Sequence, residues 1–309
     1  HFALSVVYPN AGNIGGGGFA VYRLNDGEVG SLDFREKAPM KSYRDMYITN
    51  SEDESTVDDK KSKIGHLASG VPGSVDGMVK LHEKFGSLDW KLLLEPSIEL
   101  AKNGFSLTDK QSNSLNNVMM VFDTINSSKV PFVKDIKWEE NDVLIQEDLS
   151  KTLERIRDKK RDGFYSGITA DYIINEMNAG NGIISYEDLN NYSSIWRKPI
   201  VGEYKNHKII SMGPPSSGGI ALLQLLHGAE KLDVGSYDHN SLNYINTIAE
   251  IESRVYADRA TYLGDPDFYN VPISELIDKN YLDNRFNIIN PSIQSPSNQV
   301  KEGNIQLNE

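Results

Sequence analysis

The chain has 309 residues, with 32 Lys and Arg against 44 Asp and Glu, a formal net charge of −12 and no cysteine. This acidic balance disfavours nucleic acid and anionic membrane surfaces as partners, and no apolar run is long enough to span a membrane. Without cysteine, disulfides, thiolate metal sites and a thiol nucleophile are excluded.

The first predicted element follows four consecutive glycines at residues 15–18. Two of these glycines and Ala20 satisfy G-x-G-x-x-A, a loose dinucleotide-binding pattern that requires a helix directly after it. The residues that follow, FAVYRLNDGEVGSLDF, are β-branched and aromatic on both sides of Asn-Asp-Gly at 25–27, which predicts a hairpin instead. The pattern therefore favours a structural role, in which the backbone passes close to another segment before a buried strand.

The end of this hairpin carries the first candidate functional residue. In GSLDFREKAP, the alternation of side chains places Leu32 and Phe34 on one face and Asp33 and Arg35 on the other. An arginine at a strand end, beside an aromatic and an acidic residue, suits a planar guanidinium held ready for a carboxylate. A solvated arginine has the same local pattern, so the spacing alone leaves both interpretations open.

Further along the chain, polar composition predicts an exposed loop over 49–63. A second hairpin is indicated by PIVGEYKNHKIISM, with its turn at 205–207. A long helix has apolar residues at 242, 245, 248, 251 and 255, which predicts one buried face. The other predicted helices cover 74–86, 89–103, 148–158, 168–179, 186–192 and a segment that follows the prolines at 214 and 215.

Candidate catalytic and metal-binding residues are few. Ser216 and Ser217 in PPSSGG are the best candidates for a serine nucleophile, but the motif is not the G-x-S-x-G elbow, and a serine that opens a helix is usually a cap. The six histidines lack H-E-x-x-H and carboxylates at metal-ligand spacing, so we expect no metal site. Asp265 and Asp267 flank a proline in a turn, which favours a structural role. The residues alone indicate an enzyme whose nucleophile is missing.

Six motifs carry a resemblance to a known family. In order, they are PNAGNIGGGGFAVYRL, LDFREKAP, HLASGVPGSVDGM, EPSIELAKNGF, MGPPSSGGIALLQLL and ESRVYADRATYLGDPDF. Together, from Pro9 to Phe268, they resemble the large subunit of bacterial γ-glutamyltranspeptidase.

The resemblance implies an α+β fold of the N-terminal nucleophile hydrolase type, a four-layer αββα sandwich completed by a second, small subunit. Residues 1–309 would form a single large-subunit domain, with a tail over about 287–309 that is flexible up to an autocatalytic cleavage point. The family also has a stretch before the segment FALSVVYP, and some residues can separate Glu309 from the cut.

The same resemblance implies a zymogen whose cleavage creates the nucleophile. A threonine after Glu309 would open the small subunit, so no catalytic residue is expected in this chain. Activated by its own α-amine, its hydroxyl would attack the γ-glutamyl amide of glutathione and related compounds, and water, an amino acid or a peptide would accept the γ-glutamyl group. Arg35 matches the FRE arginine that binds the substrate α-carboxylate, Ser216 and Ser217 lie in a possible active-site neighbourhood, and no cofactor is implied.

Three alternatives to glutathione chemistry stay open. The scaffold is shared by enzymes that depolymerise poly-γ-glutamate and by acylases that remove a cephalosporin side chain. An inactive paralogue that binds γ-glutamyl ligands is the third. The family is commonly periplasmic or secreted, which is our expectation here, and an export signal would precede His1.

Overall fold

The structure, a computed structural model, describes residues 1–10, 13–49 and 60–305. Helices are the main regular element of these residues. The α-helices are α1 Phe2–Val7, α2 Ser74–Phe85, α3 Trp90–Asn103, α4 Asp109–Ile125, α5 Glu147–Lys159, α6 Asp162–Tyr165, α7 Gly167–Ala179, α8 Tyr186–Asn191, α9 Gly218–Lys231, α10 Leu242–Tyr262, α11 Ile273–Leu276 and α12 Lys279–Phe286.

The strands of the described residues are short and form three small sheets. A three-stranded sheet has the order β1-β2-β5, and two antiparallel pairs are formed by β3-β4 and β6-β7. The strands are β1 Phe19–Arg23, β2 Val29–Asp33, β3 Phe105–Ser106, β4 Val143–Leu144, β5 Ile195–Arg197, β6 Ile200–Tyr204 and β7 His207–Ser211.

Both predicted hairpins are confirmed, and each turn has the backbone that its residues favour. Between β1 and β2, Gly27 has φ 94°, a value that suits glycine because it has no Cβ. Between β6 and β7, the two turn residues Lys205 and Asn206 have φ 46° and 64°, as a type I′ turn requires. His207, which was predicted in the turn, is instead the first residue of β7.

The predicted helices are confirmed, and their ends lie within a few residues of the predicted ones. For example, α3 begins after Asp89, whose side chain accepts the N–H of Lys91 at 2.8 Å, and ends at Gly104 with φ 79°. Helix α4 was not predicted, although Thr108 and Gln111 form a capping box at its start.

The predicted buried face of α10 is correct at its centre and wrong at its start. Ile251 and Val255 are buried, whereas Leu242 and Ile245 are 81% and 53% exposed. At about 100° per residue, Leu242 lies about 180° and Ile245 about 120° away from Ile251 around the helix. The apolar spacing therefore drifts off the buried face over the first two turns.

Two compact units divide the described chain. The first consists of residues 1–19 and 32–195, and the second of 20–31 and 196–309. Two compact units can belong to one domain, so the single large-subunit domain over 1–309 stays a prediction. The main core of the first unit is formed by α1, α2, α3 and α5–α8, with Val6, Leu94 and Leu153 fully buried.

The core of the second unit has two parts. One part packs α10 against α9 and α12 around Ile251 and Phe286, which are fully buried. The other joins α9, α11 and β6 around Ile220 and Leu276.

Parts of two predicted loops lie outside the described residues. The predicted loop over 49–63 is described only at 49 and 60–63, and the predicted tail only up to 305. The described tail contains a 3₁₀ turn, Ser297–Gln299, and its flexibility up to a cleavage point stays a prediction. No helix in the described part of the chain is both long and apolar enough to cross a membrane.

Candidate active site

The glycines at 15–18 hold the end of β2 by backbone contact. Gly18 donates its N–H to the carbonyl of Phe34 at 3.2 Å, and Phe34 donates its N–H to the carbonyl of Gly18 at 3.0 Å. A Cβ on Gly17 would lie 2.6 Å from the backbone N of Glu36 and the carbonyl O of Phe34. The glycines are followed directly by β1, so the predicted structural role is confirmed.

This close approach predicts a sharp difference between two glycine substitutions. We expect Gly17→Ala to displace the backbone at Glu36 and to lower the free energy of unfolding by about 1–3 kcal/mol, as overpacking does. At the matched position, Gly15→Ala places its Cβ 3.4 Å from the side chain of Asn13, which is ordinary contact. Urea unfolding of both variants measures the difference, and equal stability would contradict the packing argument.

Arg35 has a fixed backbone and an exposed side chain. Its N–H donates to Oδ1 of Asp33 at 3.1 Å, and its carbonyl accepts the hydroxyl of Tyr192 at 2.9 Å. The guanidinium carbon lies 5.9 Å from the centre of the Phe19 ring. Within residues 1–10, 13–49 and 60–305, no carboxylate forms an ion pair with this guanidinium.

The tyrosine that hydrogen-bonds to the carbonyl of Arg35 is stacked on a second tyrosine. The rings of Tyr165 and Tyr192 are 5.7 Å apart and nearly parallel, and the Tyr165 hydroxyl donates to the carbonyl of Pro72 at 2.8 Å. Burial raises the pKa of both hydroxyls far above the usual range, so both remain protonated donors. Gly73 is required beside them because a Cβ there would overlap the Tyr192 hydroxyl.

A buried ion pair fixes the segment that carries Tyr192. The side chain of Asp76 on α2 is 3% exposed and accepts Nε of Arg161 at 3.1 Å. It also accepts the N–H of Ser194 at 2.7 Å and the hydroxyl of Ser194 at 2.5 Å. Arg161 in turn donates to the carbonyl of Tyr192 at 2.7 Å. The position of Arg35 thus depends on a charge that lies in the interior of the first unit.

One weak signal for this network is visible in the sequence. Asp76 interrupts an apolar pattern on the buried side of α2, where Val75 and Val79 are both in the core. A carboxylate at such a position almost always has a partner, because an isolated buried charge is very costly. The identity of the partner, Arg161, could not be read from the spacing.

The two candidate serines lie in the second unit, at the start of α9, and share the predicted capping role unequally. The hydroxyl of Ser216 accepts the N–H of Gly218 at 3.1 Å. Ser217 occupies the N-cap position, but its side chain makes no capping hydrogen bond and instead accepts Nε of Arg259 at 3.0 Å. Of the two serines expected to cap the helix, Ser216 therefore accepts a backbone N–H at its start, whereas the hydroxyl of Ser217 accepts the guanidinium of Arg259.

Neither serine has the partner that a serine nucleophile needs. Among the described residues, no histidine or carboxylate is hydrogen-bonded to the hydroxyl of Ser216 or Ser217. Their place in an active-site neighbourhood stays a prediction.

The remaining candidates have structural partners. Asp267 accepts both terminal nitrogens of Arg197 at 2.9 Å, and Asp265 accepts the N–H of Asp267 at 3.0 Å, which confirms the structural interpretation of this acidic pair. His66 pairs with Glu176 at 2.8 Å and His227 with Asp283 at 3.0 Å. In the described ranges, no group of three or more His, Asp or Glu side chains is arranged to hold a metal ion.

Comparison with known families identifies the kind of protein to which this site belongs. The family model described as gamma-glutamyltranspeptidase matches residues 1–308. The chain belongs to the γ-glutamyltranspeptidase family. It corresponds to the large-subunit region of that family.

Relatives with curated names are similar along nearly all of the chain. The glutathione hydrolase proenzyme of Pseudomonas aeruginosa is 42% identical over 305 residues, covering 98% of this chain and 53% of the relative. The protein of the same name from Escherichia coli K12 is 38% identical, covering 98% and 52%. A more distant relative, the acylase ACY 1 proenzyme of Pseudomonas sp. V22, is 33% identical, covering 92% and 52%. The chain thus spans about half the length of the curated relatives it matches.

A solved structure shows the same fold. The γ-glutamyltranspeptidase of Helicobacter pylori is 44% identical with a TM-score of 0.94, and the match covers all of this chain and 88% of that chain. The mixture of helices and short sheets described above is therefore the α+β fold of the γ-glutamyltranspeptidase structures, as the family resemblance implied.

Proposed function

We propose that the chain is the large subunit of a γ-glutamyl transferase and hydrolase that cleaves the γ-glutamyl amide of glutathione and related compounds. Arg35 binds the α-carboxylate of the γ-glutamyl group. The nucleophile is a threonine at the start of a small subunit from the same precursor. It forms a γ-glutamyl-enzyme that water, an amino acid or a peptide resolves.

The observation that carries this proposal is the state of Arg35. Its backbone is held on one side by Asp33 and on the other by Tyr192, while its guanidinium has no ion-pair partner in the described part of the chain. A carboxylate bound there would form two parallel charge-assisted hydrogen bonds, which fix orientation as well as charge. The scissile amide of a bound γ-glutamyl group would then be placed at a defined distance from the guanidinium, as an acyl transfer requires.

The division into two subunits is supported by the lengths of the matches. The chain covers about half of proteins named as proenzymes, but 88% of the matched chain in the H. pylori structure. This difference is expected where the matched chain is one product of a cleaved precursor. The nucleophile and the rest of the sandwich would be supplied by the other product.

To test the proposed function, the complete gene is expressed and the turnover of three donors by the purified protein is measured. With glutathione, poly-γ-glutamate and a glutaryl-cephalosporin at equal concentration, we expect glutathione to give the highest kcat/KM. A denaturing gel of the purified protein should show two chains, of which one matches this sequence. A single chain with full activity would overturn the two-subunit proposal.

The same assay separates this function from an acylase activity and from an inactive paralogue. The relative named as an acylase, at 33% identity, keeps an acylase activity as an alternative, and preferred turnover of the glutaryl-cephalosporin would favour it. A residue other than threonine after the cut, with no turnover of any donor, would favour an inactive paralogue.

We further propose that the protein is exported to the periplasm or secreted, which cell fractionation measures.

A further inference from the structure

The first unit contains a cavity with an arginine in its lining. The cavity has a volume of about 550 Å³ and lies between α5, α7 and the segment that follows α4. Its lining includes Lys151 and Arg155 of α5, Tyr172 and Asn175 of α7, and Ser128 after α4. Small-molecule sites in proteins have volumes of roughly 300–1,000 Å³, so this cavity is large enough for a small organic ligand.

The guanidinium of Arg155 is fixed along one edge by two threonine hydroxyls. Its Nε donates to Oγ1 of Thr169 at 2.8 Å, and its Nη2 donates to Oγ1 of Thr152 at 2.8 Å. Thr169 in turn donates its hydroxyl to the carbonyl of Gly163 at 2.8 Å. Thr152 donates its hydroxyl to the carbonyl of Asp148 at 2.9 Å. Because both hydroxyl protons are committed to carbonyls, both oxygens accept from the guanidinium and orient it before any ligand binds.

A second edge of the guanidinium has no partner in the described part of the chain. Nε and Nη2 form the edge that the threonines occupy, so one N–H of Nη1 and one of Nη2 remain side by side at the end of the fork. The guanidinium carbon lies 5.9 Å from the centre of the Tyr172 ring, which is a cation–π contact. No carboxylate of the described residues pairs with Arg155. Two parallel N–H groups match the two oxygens of a carboxylate.

The other charged side chains of the lining already have partners. Lys151 pairs with Asp148 at 3.6 Å. Glu176 pairs with His66 at 2.8 Å and accepts the N–H of Ser127 at 3.0 Å. Among the described residues, the arginine is therefore the lining charge that lacks a counter-ion.

We propose that Arg155 binds the carboxylate of a small organic monocarboxylate in this cavity. A single inorganic anion, similar in size to a few water molecules of about 30 Å³ each, would fill only a small part of the volume. An organic body can instead pack against Tyr172 and Val130, which also line the cavity. Asp148 and Glu176 are in the same lining, so their charges disfavour a ligand with several negative charges. This site does not depend on the γ-glutamyl chemistry proposed above.

The test measures binding of benzoate to the purified protein, expressed from the complete gene, by ligand-observed NMR titration. All measurements use an Arg35→Ala background, so that benzoate bound at Arg35 does not contribute. Arg155→Gln removes the charge and the fork. Arg157→Gln is the matched control, because Arg157 lies on the same helix and its charge is paired with Asp158 at 3.0 Å and Glu95 at 3.1 Å. Melting temperatures show whether each variant is folded.

We expect benzoate to bind in the millimolar range, as suits a ligand of few atoms, and Arg155→Gln to weaken binding about tenfold or more. Arg157→Gln should leave the Kd unchanged. Benzamide, which keeps the ring but has no charge, should bind about tenfold more weakly than benzoate or worse. If Arg155→Gln does not fold, Arg155→Lys decides the outcome, because an ammonium cannot form the paired hydrogen bonds.

Three results would overturn the proposal. They are no binding of benzoate to protein that retains Arg155, equal affinity for benzamide and benzoate, and equal benzoate affinity in the Arg155 and Arg157 variants. Inorganic phosphate that binds more tightly than benzoate and depends on Arg155 would overturn the assignment to an organic carboxylate.

Discussion

Arg35→Ala is expected to lower kcat/KM for a γ-glutamyl anilide by roughly 30-fold to several thousand-fold. The range corresponds to about 2–5 kcal/mol, the cost of removing one member of a hydrogen-bonded charge pair when the bound carboxylate is buried against it. The loss should fall mainly on KM where the carboxylate contact is equally strong in the bound substrate and in the transition state. Steady-state kinetics on the complete two-subunit enzyme measures both constants.

Two further variants sharpen this test. Arg35→Lys keeps the charge but not the planar fork, so we expect most of the loss to remain. Arg44→Ala is the control, since the Arg44 side chain is 88% exposed and its ion pair among the described residues is with its neighbour Asp45, at 3.8 Å. Unchanged kinetics in Arg35→Ala, or equal losses at both arginines, would remove Arg35 from the substrate site.

Asp76→Ala is expected to lower the free energy of unfolding by about 3–5 kcal/mol. The change leaves Arg161 without its carboxylate partner and Ser194 without the acceptor of both its N–H and its hydroxyl. The cost arises mainly because Ser194 is buried and loses the acceptor of its N–H and its hydroxyl, while Arg161 and Lys80 lose their carboxylate partner. Urea unfolding followed by circular dichroism measures the loss.

A surface carboxylate in the same unit provides the comparison. Asp171 is exposed and, within the described part of the chain, accepts the hydroxyl of Tyr186 as its hydrogen bond, so Asp171→Ala should change stability by no more than about 0.5 kcal/mol. Asp76→Asn, which keeps the shape, should fall between the two. If Asp76→Ala is as stable as Asp171→Ala, the pair does not hold the segment around Tyr192, and the support for Arg35 must come from elsewhere.

The parts of the fold that were predicted are those decided by neighbouring residues. The hairpin turns follow from Asn-Asp-Gly at 25–27 and Lys-Asn at 205–206, and the end of α3 follows from Gly104. Arg35 could be proposed as a substrate-binding residue because its local pattern and the FRE motif lie in one short stretch.

The parts that were missed depend on distant residues or on weak local patterns. The support for Arg35 runs through Asp76 and Arg161, which are 85 residues apart in the chain, and no spacing rule connects them. Helix α4 carries many polar residues, and its capping box at Thr108 and Gln111 was its clearest signal. In the tail, the lack of periodicity could not predict the hydrogen bonds of Ser295 and Gly303 to the buried carboxylates of Glu250 and Asp258, because such hydrogen bonds need no periodic pattern.

The path of the chain through the three-stranded sheet limits how members of this family can exchange parts. The chain passes from one unit to the other after residues 19, 31 and 195, and each of these points lies inside a strand of the sheet. A hybrid gene that swaps the first unit therefore needs three junctions, and a one-residue error at any of them inverts the side chains of a strand. Recombination should succeed far more often when it transfers both units together as one continuous segment.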